Sequence, residues 1–493
     1  MVSASEVGKD REKTHMFADD VKFEDFDLSE PLLKSLEKCG FTSPTVVQKK
    51  VLPATLRATE DIVIASETGS GKTLSYLLPV IDEFVRKRER DPDVKAHVRA
   101  LVLVPSQELT AQIMRFVDQL NLGVKATVLA GERFTVPPDT LIVASTPRAF
   151  GDRAELHDFA DLRCIVVDEA DMLLEGSFKD ETTRVLDTFR KPLSRRKIVE
   201  MERRGEEFSS HPQPGQPHLI FVGATYPHWI GDKVRSVVRF IEKRYPDVLN
   251  IRTDFIHRSN PLLTETWIDT QGIDTVEKLV EVVKGGPPGQ VMVFCNTVKS
   301  VDMIAEALSS SPSVLGGVQA VHRSMQMSDR IRILDEFREN KFRVLVCTDL
   351  VARGMDLGSN VSHVIQYEFG PNVVNYLHRI GRTARAGYSG QATHFYDGEQ
   401  RALAEDIIRA NRTGLEAMFS RNRNFRNRKK KQFRRENPDQ YDRGAHRRKY
   451  AHLMNQDVDD DERDLEQTHS EETDDVNNTG KRSSRSSDDD DWV

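Results

Sequence analysis

Ser66-Glu67-Thr68-Gly69-Ser70-Gly71-Lys72-Thr73 is the stretch from which the rest of the chain is read. Asp61 and the apolar run Ile62-Val63-Ile64-Ala65 precede it, and Leu74-Ser75-Tyr76-Leu77-Leu78-Pro79 follows. A buried strand, a glycine-rich turn and the start of a helix form the context a phosphate-binding loop requires. Gly69 and Gly71 let backbone amides approach an anion with no Cβ in the way. Lys72 is placed to set a positive charge against β- and γ-phosphates, and Thr73 to offer a hydroxyl to Mg2+. Ser66, Glu67, Thr68 and Ser70 complete the candidate nucleotide-binding set. The general GxxxxGK[ST] pattern is not fully met, because Ser66 stands at its first glycine. The plainer alternative for this stretch by itself is a Gly/Ser turn ahead of a helix.

Beyond Lys72, strand-like and helix-like segments alternate, which is the pattern of a doubly wound parallel α/β domain. Runs at 100–104, 126–129, 140–144, 164–167 and 218–222 each end in a polar motif. Open parallel sheets bind ligands at those carboxyl ends. Asp168-Glu169 follows one run: the first carboxylate suits Mg2+ through its water shell, the second suits a water that it orients or deprotonates. Adjacent acids at a strand end also serve as helix caps. Their company with Lys72 and Thr73 favours the catalytic reading. Upstream, Ser29-Glu30-Pro31 predicts a Ser-capped helix that Gly40 stops. Gln48, after the Pro44-Thr45 turn, is a candidate reader of an adenine edge, with Phe23 as an aromatic for its face. The irregular stretch from Arg190 to Pro217 reads as a surface insertion.

A linker is expected at 252–263, around Ser259-Asn260-Pro261. A second α/β domain follows, with strands at 290–295 and 342–347 and a helix containing Arg330. It has no phosphate loop of its own. Its Tyr376-Leu377-His378-Arg379-Ile380-Gly381-Arg382-Thr383-Ala384-Arg385 block places Arg382 and Arg385 three residues apart, on one helical face. Arginines brought by one domain to another's phosphate loop stabilise transition-state charge.

The chain of 493 residues has room for two or three domains and is 38% hydrophobic and 30% charged. No apolar run is long enough to span a bilayer, and no secretory or organelle-targeting leader is evident. Four scattered cysteines with no CxxC spacing read as buried reduced thiols. The net charge of −7 hides a basic segment from Arg421 to Tyr450, net +10, ahead of an acidic end from Asp457 to Val493, net −11. Phe425 and Phe433 among the cations suit phosphate neutralisation with base stacking, and equally a solubilising or nuclear-targeting segment. The acidic end and residues 1–20 read as disordered.

Together these residues resemble the DEAD-box RNA helicases of superfamily 2, over about Phe23 to Met418. The resemblance implies two tandem RecA-like doubly wound parallel-sheet α/β domains that close on ATP and single-stranded RNA, in a monomeric core with no membrane partner. It implies domains at 21–251 and 264–418, to which the charge pattern adds a basic RNA-binding tail at 419–456 and an acidic tail at 457–493. By matching positions, Phe23 and Gln48 would read adenine, and Asp356 would reach the ribose region. Lys72, Asp168 and Glu169 would serve ATP, Mg2+ and water, with Arg382 and Arg385 as fingers. His378 and Thr225 would couple hydrolysis to closure. Ser106, Gly131, Thr146, Arg330, Thr348 and Arg353 would line the RNA, contacting phosphates and 2′-hydroxyls without reading sequence. Ser66-Glu67-Thr68 and the stretch from Asp168 to Phe178 also resemble the organellar branch, which assists ribosome assembly. The acid-containing start argues against an organelle and the basic tail is compatible with the nucleus, so the compartment stays open.

Departures from the family pattern cluster on the RNA and coupling side. Gln107 replaces an arginine in Pro105-Ser106-Gln107-Glu108-Leu109, and Thr146-Pro147-Arg148-Ala149 stands for TPGR. Gly223-Ala224-Thr225 stands for SAT, Ala130-Gly131 for GG, and Met327 for a glutamine. These changes predict sound nucleotide binding with weaker or more partner-dependent unwinding. Two functions follow: an ATP-dependent RNA helicase, or a nucleotide-gated RNA clamp with little unwinding.

Overall fold

The computed structural model describes residues 17–57, 60–129, 136–153, 156–175, 178–190, 216–226, 237–253, 260, 262–349, 361–385, 388–398 and 400–411. Residues 1–16 of the 1–20 flank, most of the Arg190–Pro217 insertion, most of the linker, Gly131, Arg353, Asp356 and both tail segments lie outside the described residues, whereas Phe17 bridges to Thr45 and Ala18 is buried, so the end of that flank is not disordered.

The first sheet contains β1 (Ile62–Ala65), β2 (Ala100–Leu103), β3 (Lys125–Val128), β4 (Thr140–Ser145), β5 (Cys164–Val167), β6 (His218–Gly223) and β7 (Leu249–Arg252). The second contains β8 (Leu263–Asp269), β9 (Gln290–Phe294), β10 (Val318–Val321), β11 (Val344–Cys347), β12 (Val361–Gln366) and β13 (Gly390–Tyr396). Their orders are β3-β4-β2-β5-β6-β1-β7 and β10-β11-β9-β12-β13-β8. Every strand pair is parallel. Both sheets belong to one compact unit.

The central strands are buried on both faces because crossover helices cover each side, which is why they read as unbroken apolar runs. Alternate residues of the first sheet serve two cores. Ile62, Ile64, Val102, Val166 and Val222 pack with Leu74, Leu77 and Ile81 of the Lys72–Arg90 helix. Val63, Leu101, Val143, Ile165 and Phe221 pack with Phe150, Leu173, Val185 and Ile241.

Strand β1 lies between β6 and β7, so the phosphate loop leaves the sheet beside the end of β6, with β5 one strand further on. The Ser66 amide extends the ladder by donating to the Gly223 carbonyl at 3.2 Å. The Gly69–Thr73 turn, Asp168-Glu169 and Thr225 thereby share one edge of the sheet.

Strands β7, β8, β10, β12 and β13 were not marked by apolar runs. In β12 and β13 His363, Gln366, Thr393 and His394 are buried and pair across the sheet. His363 pairs with Thr393 at 2.8 Å and Gln366 with His394 at 3.2 Å, while His394 reaches Glu265 of β8 at 2.9 Å. Buried polar groups need such partners, and no search for apolar runs finds them.

The expected helix spans Glu30–Lys38, and Gly40 leaves it with φ +82°. Ser29 does not cap it through its side chain; its backbone amide instead donates to Asp82 Oδ1 at 2.7 Å. Arg190 is not part of a surface loop. It is buried, paired with Asp61, and its guanidinium lies 5.4 Å from the Tyr245 ring centre. All four cysteines are free thiols, and burial pushes the Cys164 thiol up to about 12. No helix among the described residues is long and apolar enough to cross a membrane.

Candidate active site

The phosphate loop turns at Gly69 and Gly71, with φ of +79° and +89°. A Cβ on Gly71 would lie 2.7 Å from Gln48 Nε2, and one on Gly69 would lie 3.2 Å from the Arg385 side chain. The loop is closed by its own hydroxyls. Ser66 Oγ donates to Ser70 Oγ at 2.7 Å, and Ser70 Oγ donates to the Glu67 carbonyl at 2.8 Å. Glu67 Oε2 accepts from Thr253 Oγ1 at 2.6 Å, which ties the loop to the residue after β7. Lys72 Nζ donates to the carbonyls of Ser66 and Glu67 at 2.9 and 2.6 Å. Burial lowers the Lys72 pKa, against the opposing pull of Glu169, Glu67, Asp168 and Asp171. Thr73 follows it, half-buried, in the first turn of a 19-residue helix. The amide end of that helix faces the loop and favours anions.

At the end of β5, Asp168 Oδ1 accepts from the Glu169 amide at 2.9 Å, and Oδ2 accepts from the Tyr76 hydroxyl at 2.8 Å. Burial, then the adjacent Glu169 charge, raises the Asp168 carboxyl to about 6. Glu169 has φ +53°, an uncommon conformation for a residue with a side chain. Asp171 Oδ2 accepts from the Thr225 amide at 3.0 Å and from the Thr225 hydroxyl. It also lies 3.5 Å from His378 Nε2 of the second domain. Burial pushes the Asp171 carboxyl up, but His378 and Thr225 outweigh it and the net shift is downward. Ligand atoms of Glu169, Asp171 and His378 fall within 4.8 Å of one another. Asp171 is already engaged by Thr225 and His378, so it reads as the centre of a polar link between the domains, with Glu169 beside it.

The two domains meet over the loop. Thr68 Oγ1 donates to the Gly381 carbonyl at 3.3 Å, and Thr225 Oγ1 is 3.4 Å from His378 Nε2. The helix bearing His378 spans Val373–Ile380 and ends there. Arg382 and Arg385 therefore do not share a helical face. They lie in the following turn, where Ala384 has φ +53°. Arg382 Nε donates to the His378 carbonyl at 3.1 Å, and Arg385 Nε to the Gly381 carbonyl at 2.6 Å. This turn still brings the Arg385 stem against Gly69.

Gln48 is 2% exposed. Its Oε1 accepts from the Thr45 amide at 2.8 Å and its Nε2 donates to the Gly71 carbonyl at 3.2 Å. Phe23, 4% exposed, belongs to the apolar cluster with Leu28, Leu32 and Val51. On the RNA side, Ser106 precedes the Gln107–Leu120 helix without capping it. The Thr146 hydroxyl accepts from the Ala149 amide at 3.3 Å. Thr348 is half-buried after β11. Arg330 Nε lies 3.1 Å from Glu108 Oε1 of the first domain, and Arg330 Nη2 lies 3.0 Å from the Met327 sulfur.

Three participants were not singled out from the sequence. Tyr76 holds Asp168, Asp171 joins Thr225 to His378, and Thr253 holds Glu67. Asp171 stands three residues after Asp168 and was open to the same argument. Tyr76 sits at the fifth position of a helix, where an aromatic reads as core.

Two family models match the chain: the DEAD/DEAH box helicase over residues 45–230 and the helicase conserved C-terminal domain over residues 274–387. "DEAD-box ATP-dependent RNA helicase 22" of Oryza sativa subsp. japonica is 32% identical over 499 residues, covering 83% of this chain and 84% of the rice protein. The chain belongs to the DEAD-box ATP-dependent RNA helicases. Among other DEAD-box relatives, "Probable ATP-dependent RNA helicase DDX28" of Homo sapiens is 31% identical over 389 residues, covering 74% of this chain and 68% of the human protein. The fold matches S. cerevisiae Dbp5 bound to RNA and ADP BeF3, with TM-score 0.62, 23% identity, and coverage of 79% of this chain and 93% of that one. It also matches Mss116p bound to ssRNA and AMP-PNP, with TM-score 0.62, 22% identity, and coverage of 80% and 78%.

Proposed function

We propose that this DEAD-box protein closes its two domains on ATP and single-stranded RNA, and so separates short duplexes or remodels RNA–protein particles locally. The observation that carries this is a single interface in which Thr68 meets Gly381, Arg385 covers Gly69 and His378 meets Thr225 and Asp171. Such an interface makes phosphate-loop chemistry depend on closure.

In this reading Lys72 leaves its loop carbonyls for the β- and γ-phosphates, cradled by Ser66 to Thr73. Gln48 and Phe23 select adenine, and Asp356 serves the ribose region. Glu169 orients the attacking water, while Arg382 and Arg385 meet the charge that develops on the transferred phosphoryl group. His378, Thr225 and Asp171 report closure to that centre. Thr73 and Asp168 are the residues that would hold Mg2+; their oxygen-only donors fit a hard cation. When bound, that ion neutralises phosphate charge. Ser106, Gly131, Thr146, Arg330, Thr348 and Arg353 take the RNA backbone.

We assign the domains to 21–251 and 264–418. Support comes from β7 ending at Arg252 and β8 starting at Leu263. We place the work inside the cell, where ATP and RNA are found. Assembling ribosomal particles are the favoured target, on the resemblance of 66–68 and 168–178 to the organellar branch. The clamp alternative is supported by Gly223 and by exposed Gln107, which take a hydroxyl and a cation from the coupling and RNA sides.

The test is steady-state ATP hydrolysis with and without single-stranded RNA, for wild type and Lys72→Ala. RNA-stimulated turnover that the substitution abolishes is expected. ATP-dependent RNA retention without stimulated turnover would favour the clamp. Glu169→Gln separates the two further, because remodelling that survives loss of turnover belongs to a clamp.

A further inference from the structure

Strand β6 ends at Gly223, where a residue with a side chain would not fit. A Cβ there would lie 2.9 Å from Tyr226 Cζ, 3.0 Å from Cε2 and 3.1 Å from the phenol oxygen. The Tyr226 ring thus fills the space that a side chain at 223 would need. It is 1% exposed and packs in the cluster that holds Ala65, Val167, Ala170 and Leu173. Ala65 leads into the phosphate loop and Val167 into Asp168, so the ring lies under the edge where the catalytic groups converge.

The Tyr226 hydroxyl is buried and has no hydrogen-bond partner among the described residues. A buried hydroxyl left unpaired is costly, and an exception of this kind calls for a functional explanation. Burial, then the carboxylates of Asp171, Asp168 and Glu169, holds the phenol well above its usual pKa, so it is a neutral donor. Asp168 already accepts from Tyr76 and the Glu169 amide, and Asp171 from Thr225. The Glu169 carboxylate accepts no hydrogen bond among the described residues, and it is the group that must be aimed at water.

We propose that Tyr226 is a positioning residue for the hydrolytic step. Its hydroxyl, admitted by Gly223, donates to Glu169 in the nucleotide-closed site and takes the place of the hydroxyl that a serine at 223 would offer. The inference rests on the ATPase reading above and revises the expectation drawn from Gly223: the hydroxyl is relocated, not lost.

The experiment is RNA-stimulated ATP hydrolysis with thermal melting of each variant in the full chain. Tyr226→Phe keeps the ring and is expected to lower kcat about tenfold, with KM for ATP and the melting temperature unchanged. Gly223→Ser alone is expected to melt lower, because its Cβ meets the ring. Gly223→Ser with Tyr226→Leu is expected to exceed Tyr226→Leu alone in kcat, because it restores a hydroxyl where space has opened. Wild-type kcat in Tyr226→Phe, or no gain in the double variant, would overturn the inference while leaving the ATPase reading intact. Absence of Lys72-dependent, RNA-stimulated turnover in the wild type would overturn both.

Discussion

The Arg330 guanidinium of the second domain lies against the Glu108 carboxylate of the first, Nε to Oε1 at 3.1 Å, with side chains 16% and 8% exposed. The Nε–H does not point at the carboxylate, so this is a contact of charges more than a hydrogen bond. A charge left behind in so dry a place is costly. Arg330→Ala is therefore expected to disfavour closure. The RNA concentration for half-maximal ATPase stimulation should rise about tenfold, while ATP affinity without RNA changes little. Titrating RNA against steady-state turnover checks this, and the charge swap Glu108→Arg/Arg330→Glu should recover part of the loss.

The Thr225–Asp171–His378 chain crosses the same interface. Asp171→Asn keeps the shape but cannot accept from the Thr225 amide and hydroxyl with the same strength, and it loses the charge that faces His378. The expected outcome is a fall in kcat of about ten- to a hundredfold with KM for ATP within about twofold, since the pair lies across the closed interface. Single-turnover hydrolysis at saturating RNA measures it. A rise in KM alone would instead place Asp171 in nucleotide binding.

Gly71 combines φ +89° with a neighbour, Gln48 Nε2, 2.7 Å from where a Cβ would stand. Gly71→Ala is expected to cost about 1–3 kcal/mol of stability and to displace the Gln48 amide, weakening nucleotide binding. Gly272 has φ +79° and nothing within 4 Å of a Cβ. Gly272→Ala should cost about 1 kcal/mol at most and leave nucleotide affinity as in wild type. Melting curves with and without nucleotide compare the two.

His363 is 2% exposed, and its Nε2 pairs with Thr393 Oγ1 at 2.8 Å. Burial, then the charges of His394 and Arg343, lowers its pKa from 6.5 to about 4. The folded state therefore resists protonation that the unfolded chain accepts. Stability from this group is complete above pH 6.5 and is lost as pH falls towards 4, by about 3 kcal/mol. His363→Gln should flatten that part of the acid-side stability profile, read as denaturation midpoints between pH 4 and 7.

The phosphate loop, the acid pair and the apolar strands were legible because each is a local statement. The run 62–65, the turn at Gly69 and Gly71, and the helix after Lys72 are written in adjacent residues. Strands β8, β12 and β13 were not legible, because Glu265, His363, Gln366, Thr393 and His394 look like surface residues until the sheet pairs them. Arg382 and Arg385 were legible as a motif but misplaced on a helix, since the backbone breaks after Ile380 and turns through Ala384.

The sequence by itself determined the class of fold and the family, and it marked the phosphate-loop and acid-pair motifs, because strand, turn and helix signals act over a few residues. Only the tertiary structure decided which of those groups meet. Thr68 finds Gly381, Asp171 finds His378, Tyr76 finds Asp168, and Tyr226 fills the space beside Gly223. Those pairs are separated by up to 313 residues, or by a single turn whose geometry no spacing rule specifies. They form because parallel strands gather their carboxyl ends at one edge, and the second domain closes over that edge.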